Sequence, residues 1–191
     1  MLDKSSVLNF LENNLSEKRY FHSLGVSETA RTIAEHYDCD SYKAELSGLL
    51  HDCAKEHSLE KQIQYAQNCG FPVDEMTYNI PELLHAPASV YLSREVFGIN
   101  DMDILSSIRY HATGRQNMSL LEKVILIADI IEPNRKFQTV EKIRQKVYDN
   151  IDAALLCAFD SSINYIIKRG FLLHPDTIYA RNHIIEFDTW K

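Results

Sequence analysis

Residues 46–54, Leu-Ser-Gly-Leu-Leu-His-Asp-Cys-Ala, set the problem that the rest of the chain has to solve. Leu46, Leu49, Leu50 and Cys53 recur at i, i+3, i+4 and i+7, the spacing of one apolar helix face. His51 and Asp52 fall off that stripe, yet no long polar residues flank them as they would on a solvated face. Ser47 and Gly48, one turn back, are small enough for a second helix to approach closely. The helix is therefore expected to be buried on both sides, with an imidazole and a carboxylate inside. A buried carboxylate is costly unless a cation or several donors meet it. Adjacent helical residues diverge by about 100°, so His51 and Asp52 suit two neighbouring metal ions better than one shared point.

The same periodicity runs through the chain. Val7, Leu8, Leu11 and Leu15 form a stripe, and a longer helix follows Ser16 to about Tyr37, with Arg19, His22 and Ser23 on one face. The helix carrying His51 and Asp52 is expected to run from about Asp40 to Ala54, and Ser58 caps the next. A further turn of helix is allowed over residues 73–79. Residues 81–98 read as a helix broken at Pro87, with Pro87 opening the second piece and His85 in the break. A helix over residues 101–111 ends at Thr113-Gly114. Residues 119–131 are apolar nearly all round, which predicts a central buried helix, with Asp129 inside the run. Pro133 stops it and leaves Asn134-Arg135-Lys136 in a loop. Three more helices follow, over residues 139–146, 151–168 and 175–185. With no strand alternation and no hairpin signal, the class is all-α, a single domain of eight to ten helices.

Composition narrows the functional classes. The 191 residues are 45% apolar and 25% charged, and the net charge of −7 argues against a broad nucleic-acid or anionic-membrane surface. A local cationic pocket remains compatible with it, above all one made by metal. The four cysteines are scattered without a CxxC pair, so a reduced, cytoplasmic setting is expected. Neither a signal-peptide pattern nor an apolar run of membrane-spanning length is present.

His22, His51, Asp52, His85, His111 and Asp129 are the polar residues stranded in apolar or helix-breaking contexts. Four imidazoles and two carboxylates suit iron, manganese or zinc, and the absence of cysteine argues against a structural thiolate site. Six ligands leave two metals with open positions, as a catalytic dinuclear site requires. No basic residue lies within a turn of Asp129 inside its helix, so a local ion pair does not account for it.

The order His…His-Asp…Asp resembles the signature of the HD-domain metal-dependent phosphohydrolases, and His85 and His111 match the subset that binds two metals. More narrowly, residues 21–26 (Phe-His-Ser-Leu-Gly-Val), 83–87 (Leu-Leu-His-Ala-Pro), 111–115 (His-Ala-Thr-Gly-Arg) and the run from 117 to 135 are similar to the YqeK family. That resemblance implies a helical bundle with a dinuclear, iron-containing site between its central helices. It also implies symmetrical hydrolysis of diadenosine tetraphosphate to two ADP by a metal-bridging hydroxide. His22, His51, Asp52 and Asp129 would hold one ion and Asp52, His85 and His111 the other, with Asp52 bridging. Lys55 and Arg135 are the candidate catalytic cations beside Asp52. Arg19, Ser23, Thr113 and Gly114 join them as candidate substrate contacts. The implied partners are a nucleotide substrate and the ADP product, without nucleic acid or membrane; a homodimer is an open arrangement. The same ligand set also fits hydrolysis of a nucleoside monophosphate, a cyclic nucleotide or guanosine tetraphosphate. A binding module without turnover is the reading from a different class.

Overall fold

The apolar periodicity resolves into eleven α-helices over residues 4–187, the part of the chain that the computed structural model describes. They are α1 (Lys4–Asn14), α2 (Glu17–His36), α3 (Ser41–Leu50), α4 (Leu59–Gln67), α5 (Glu75–Asn79) and α6 (His85–Glu95). After these come α7 (Met102–Tyr110), α8 (Leu120–Ile131), α9 (Val140–Lys146), α10 (Ile151–Arg169) and α11 (Pro175–Phe187), with a 3-10 turn over Pro81–Leu83. No strand occurs among the described residues, and no helix there is long and apolar enough to cross a membrane.

Local chemistry sets where many of these helices begin. Asp40, Ser58, Asp74, Asp101, Ser119 and Asn150 each accept a backbone N–H in the first turn of the helix they precede. Ser119 and Glu122 form a reciprocal capping box at the head of α8. Gly170, at φ 67°, ends α10 in the left-handed region.

Two apolar clusters share α3 as their common wall. Leu11, Leu49, Leu50, Leu105 and Ile108 belong to one; Ile33, Ile125, Ile127, Ile143 and Leu155 belong to the other, to which α3 contributes Ala44. In α8, Leu121 and every residue from Val124 to Ala128 are buried, as an all-round apolar helix demands. The helix α2 packs on α3 and α8, and α7 packs on α3, α6 and α8. Gly48 permits the tightest of these contacts, since a Cβ placed there would lie 2.6 Å from Ser27 Cα.

Three local expectations are corrected. First, α3 stops at Leu50, and residues 51–56 form tight turns held by i→i−3 bonds such as Cys53 N–H to Leu50 C=O (3.2 Å) and Lys55 N–H to Asp52 C=O (2.9 Å). His51 and Asp52 therefore sit where α3 passes into this turn, with His51 N–H still bonded to Ser47 C=O (2.9 Å). Second, α6 begins at His85, so Pro87 is its third residue, where the missing N–H is one of the orphans of any first turn. Third, eleven α-helices exceed the expected eight to ten, because the turn allowed over residues 73–79 is a helix of its own, Glu75–Asn79. His174 is a buried fastener between α5 and α11. Asp176 N–H donates to its Nδ1 (3.2 Å), leaving the Nε2 proton for Thr77 Oγ1 (3.1 Å) and Asp74 Oδ1 (3.2 Å).

Candidate metal centre

Five elements converge on one polar point between the two apolar clusters. His22 comes from α2, His51 and Asp52 from the turn after α3, His85 from the first position of α6, His111 from the end of α7, and Asp129 from the last turn of α8. All six are brought together. His22 Nε2 lies 3.0 Å from Asp129 Oδ1 and 3.3 Å from His51 Nε2, and His51 Nε2 lies 3.5 Å from Asp52 Oδ2. On the other side, His85 Nε2 lies 3.1 Å from Asp52 Oδ1 and 3.0 Å from His111 Nε2, which is itself 3.7 Å from Asp52 Oδ1. The two oxygens of Asp52 thus face two different groups of donors.

Protons decide what this cluster can hold. His51 Nδ1–H donates to Gly48 C=O (2.7 Å), His85 Nδ1–H to Glu82 C=O (2.6 Å) and His111 Nδ1–H to Ile108 C=O (2.8 Å). The fourth imidazole, His22, donates from Nδ1 to Glu132 Oε1 (3.2 Å). Each ring therefore turns an unprotonated Nε2 inward, the tautomer that a metal ligand needs. Burial pushes His51 down to about 4 and His85 well below the ordinary imidazole range, which keeps both neutral. Burial works against the ionised form of Asp129, yet the charge of Arg135 holds its carboxyl well below the usual range.

Opposed lone pairs 3.0 and 3.3 Å apart repel unless a cation sits between them. Two guanidiniums already neutralise part of the cluster. Arg19 Nη1 reaches Asp52 Oδ2 at 2.6 Å, and Arg135 pairs with Asp129 Oδ1 while donating to the Asp129 carbonyl (2.8 Å). Asp52 Oδ1 keeps no hydrogen-bond donor, because the one proton of neutral His85 is committed to Glu82. The unmet groups are four imidazole nitrogens and one carboxylate oxygen, all buried, and a divalent metal satisfies that set.

Lys55 lies against His85, 2.8 Å from Nδ1 and 3.2 Å from Nε2, and burial lowers its ammonium from the ordinary lysine value. The other expected contacts divide. Arg19, His22 and Arg135 line a cavity of about 730 Å³ beside the cluster, with Lys18, Phe21, Lys136 and Phe137 around its mouth. Ser23 is fully buried with an unpartnered Oγ, and does not line this cavity. Thr113 is buried and donates to Gly114 C=O (2.9 Å). Gly114, at φ 66°, presses so closely on Phe159 and Ala180 that a Cβ would stand 2.8 Å from the Phe159 ring. Gly114 thus closes the chain onto α10 and α11, and neither Thr113 nor Gly114 lines the cavity of about 730 Å³.

A model of the HD domain family matches residues 19–134, which spans all six converging residues. The chain belongs to the HD domain family. A symmetrical bis(5'-nucleosyl)-tetraphosphatase of Halalkalibacterium halodurans is 39% identical over 96% of this HD chain and 98% of its own length. The protein of the same name from Bacillus subtilis is 37% identical with the same coverage. The crystal structure of a predicted HD superfamily hydrolase involved in NAD metabolism, from Clostridium acetobutylicum, superposes with a TM-score of 0.93. That protein is 45% identical, over 97% of this chain and 98% of the other.

Glu132 is the residue of this HD site that reading the sequence missed. It is 2% exposed, orients His22 through Oε1, and accepts Asn134 N–H at Oε2 (2.7 Å). Gly25 makes room for it, since a Cβ there would meet Glu132 Oε2 at 2.8 Å. The signal was an acid three residues after Asp129, wedged between a wholly apolar run and Pro133.

Proposed function

We infer that this chain is a metal-dependent phosphohydrolase that cuts diadenosine tetraphosphate symmetrically, releasing two ADP. The observation that carries this reading is the division of Asp52, with one oxygen toward His22, His51 and Asp129 and the other toward His85 and His111. Those donors would hold two metal ions, with Asp52 shared between them. A set of four imidazoles and two carboxylates without thiolate accommodates iron, the metal proposed here, as well as manganese or zinc. When bound, such a pair supplies an activated water and positive charge for the phosphoryl oxygens. The relatives named symmetrical tetraphosphatases, alike over nearly their full length, support the choice of substrate.

The chain's own residues do the positioning. Glu132 and three backbone carbonyls fix the imidazole tautomers, so the donor atoms are set before any ligand arrives. Arg19 and Arg135 hold the aspartates from the cavity side, and each guanidinium has N–H groups left to meet phosphate oxygens. Lys55 adds a cation on the His85 side, where charge builds on the phosphoryl group. All six proposed ligands fall within one run of packed helices, so the chain works as a single HD-type domain.

Product analysis tests the assignment. Metal-loaded protein given diadenosine tetraphosphate should yield ADP as the sole nucleotide product, lose turnover on chelation and regain it on metal return. ATP with AMP, or faster release from a nucleoside monophosphate, a cyclic nucleotide or guanosine tetraphosphate, would overturn it.

A further inference from the structure

The cavity beside the cluster carries features that metal binding does not use. Lys18, Arg19, Arg135 and Lys136 stand around it against one carboxylate, Glu132, in a chain whose net charge is −7. Arg19 and Arg135 answer aspartates, whereas Lys18 and Lys136 pair with no carboxylate among the described residues. Phe21 and Phe137 line the same space, 53% and 40% exposed. Lys18, Phe21 and His22 share one face of α2 at i, i+3 and i+4, which joins lysine, ring and proposed metal ligand in a continuous track. Two solvent-facing phenyl rings beside unpaired ammonium groups match a ligand with a flat aromatic end and an anionic end. A volume of about 730 Å³ is within the range of small-molecule sites.

We propose that this cavity is a nucleoside-diphosphate subsite, in which Phe21 and Phe137 stack on one adenine and Lys18 and Lys136 bind the phosphates of that half of the substrate. The proposal rests on the tetraphosphate reading above and deepens it. A symmetrical dinucleotide has one nucleotide on each side of the bond that breaks, and of the six converging residues His22 alone lines this cavity. It therefore takes one half of the substrate. Stacking uses the face of the base, so guanine is held here nearly as well as adenine.

The test compares equilibrium binding of ADP and of inorganic pyrophosphate to the metal-loaded protein, and to its Phe21→Ala, Phe137→Ala and Lys18→Ala/Lys136→Ala variants. Each phenylalanine variant should weaken ADP about tenfold and leave pyrophosphate unchanged, and Phe137→Trp should restore ADP binding. The lysine pair should weaken both ligands. A 2-aminopurine nucleoside diphosphate should be quenched by the wild type and not by the phenylalanine variants. With diadenosine tetraphosphate, Phe137→Ala should raise KM with kcat retained. ADP affinity unchanged in both phenylalanine variants, or an equal loss of pyrophosphate, would overturn the subsite. Failure of the wild type to cleave the tetraphosphate would instead overturn the function proposed above, so the two failures are distinct.

Discussion

Asp52→Ala is expected to lower turnover by about a thousandfold or more and to remove more than one equivalent of metal. Removing a single transition-state donor from an enzyme costs about a hundredfold to a thousandfold. Asp52 faces both halves of the cluster, so its loss acts twice. Its Oδ2 is 3.5 Å from His51 Nε2, and its Oδ1 is 3.1 Å from His85 Nε2. His85→Ala, by contrast, touches only the half built with His111 and should lose chiefly one equivalent. Metal content by mass spectrometry, with kcat measured on the same samples, separates the two variants. An Asp52→Ala protein that keeps two metals and normal turnover would show that this carboxylate is not shared.

The second large effect is structural. Gly48→Ala should destabilise the fold by about 3 kcal/mol, lowering the thermal midpoint by about 10 °C. The added Cβ would fall 2.6 Å from Ser27 Cα and 2.9 Å from Ser27 N, and backbone atoms have no rotamer by which to yield. The helix α2 must then move off α3, which takes His22 away from His51 and lowers metal affinity along with stability. Gly25→Ala is the control: its Cβ would meet only the side chain of Glu132. That variant should keep most of its thermal stability and lose metal affinity about tenfold to a hundredfold, as the support of His22 is disturbed. Calorimetric melts of the apo and loaded forms read both effects. Equal thermal midpoints for Gly48→Ala and the parent would mean that the α2–α3 contact is looser than the geometry implies.

Much of this organisation is legible in residue order because it depends on short-range periodicity. The 3.6-residue spacing of Leu46, Leu49, Leu50 and Cys53 locates α3, and the polar residues that break such patterns locate the converging side chains. What escapes a linear reading is pairing between residues far apart in the chain. Arg19 meets Asp52 across 33 positions and Glu132 meets His22 across 110, and no local pattern announces either. Long-range packing is hidden too: the left-handed turn at Gly114 sets it against Phe159 of α10 and Ala180 of α11. The end of α3 is hidden for a related reason. Cys53 keeps the apolar spacing of α3 although the backbone of residues 51–56 has already tightened to i→i−3 bonds. A faint clue to the cavity was present in the basic-aromatic pairings Lys18-Arg19 with Phe21 and Arg135-Lys136 with Phe137.

The most direct measurement is a titration of metal-stripped protein with ferrous or manganous ion under anaerobic conditions, following bound metal and ADP release from diadenosine tetraphosphate together. If Asp52 joins two ions in one working site, two equivalents bind per chain and turnover rises with the second. Full activity at one equivalent, or two equivalents bound with no release of ADP, would contradict it.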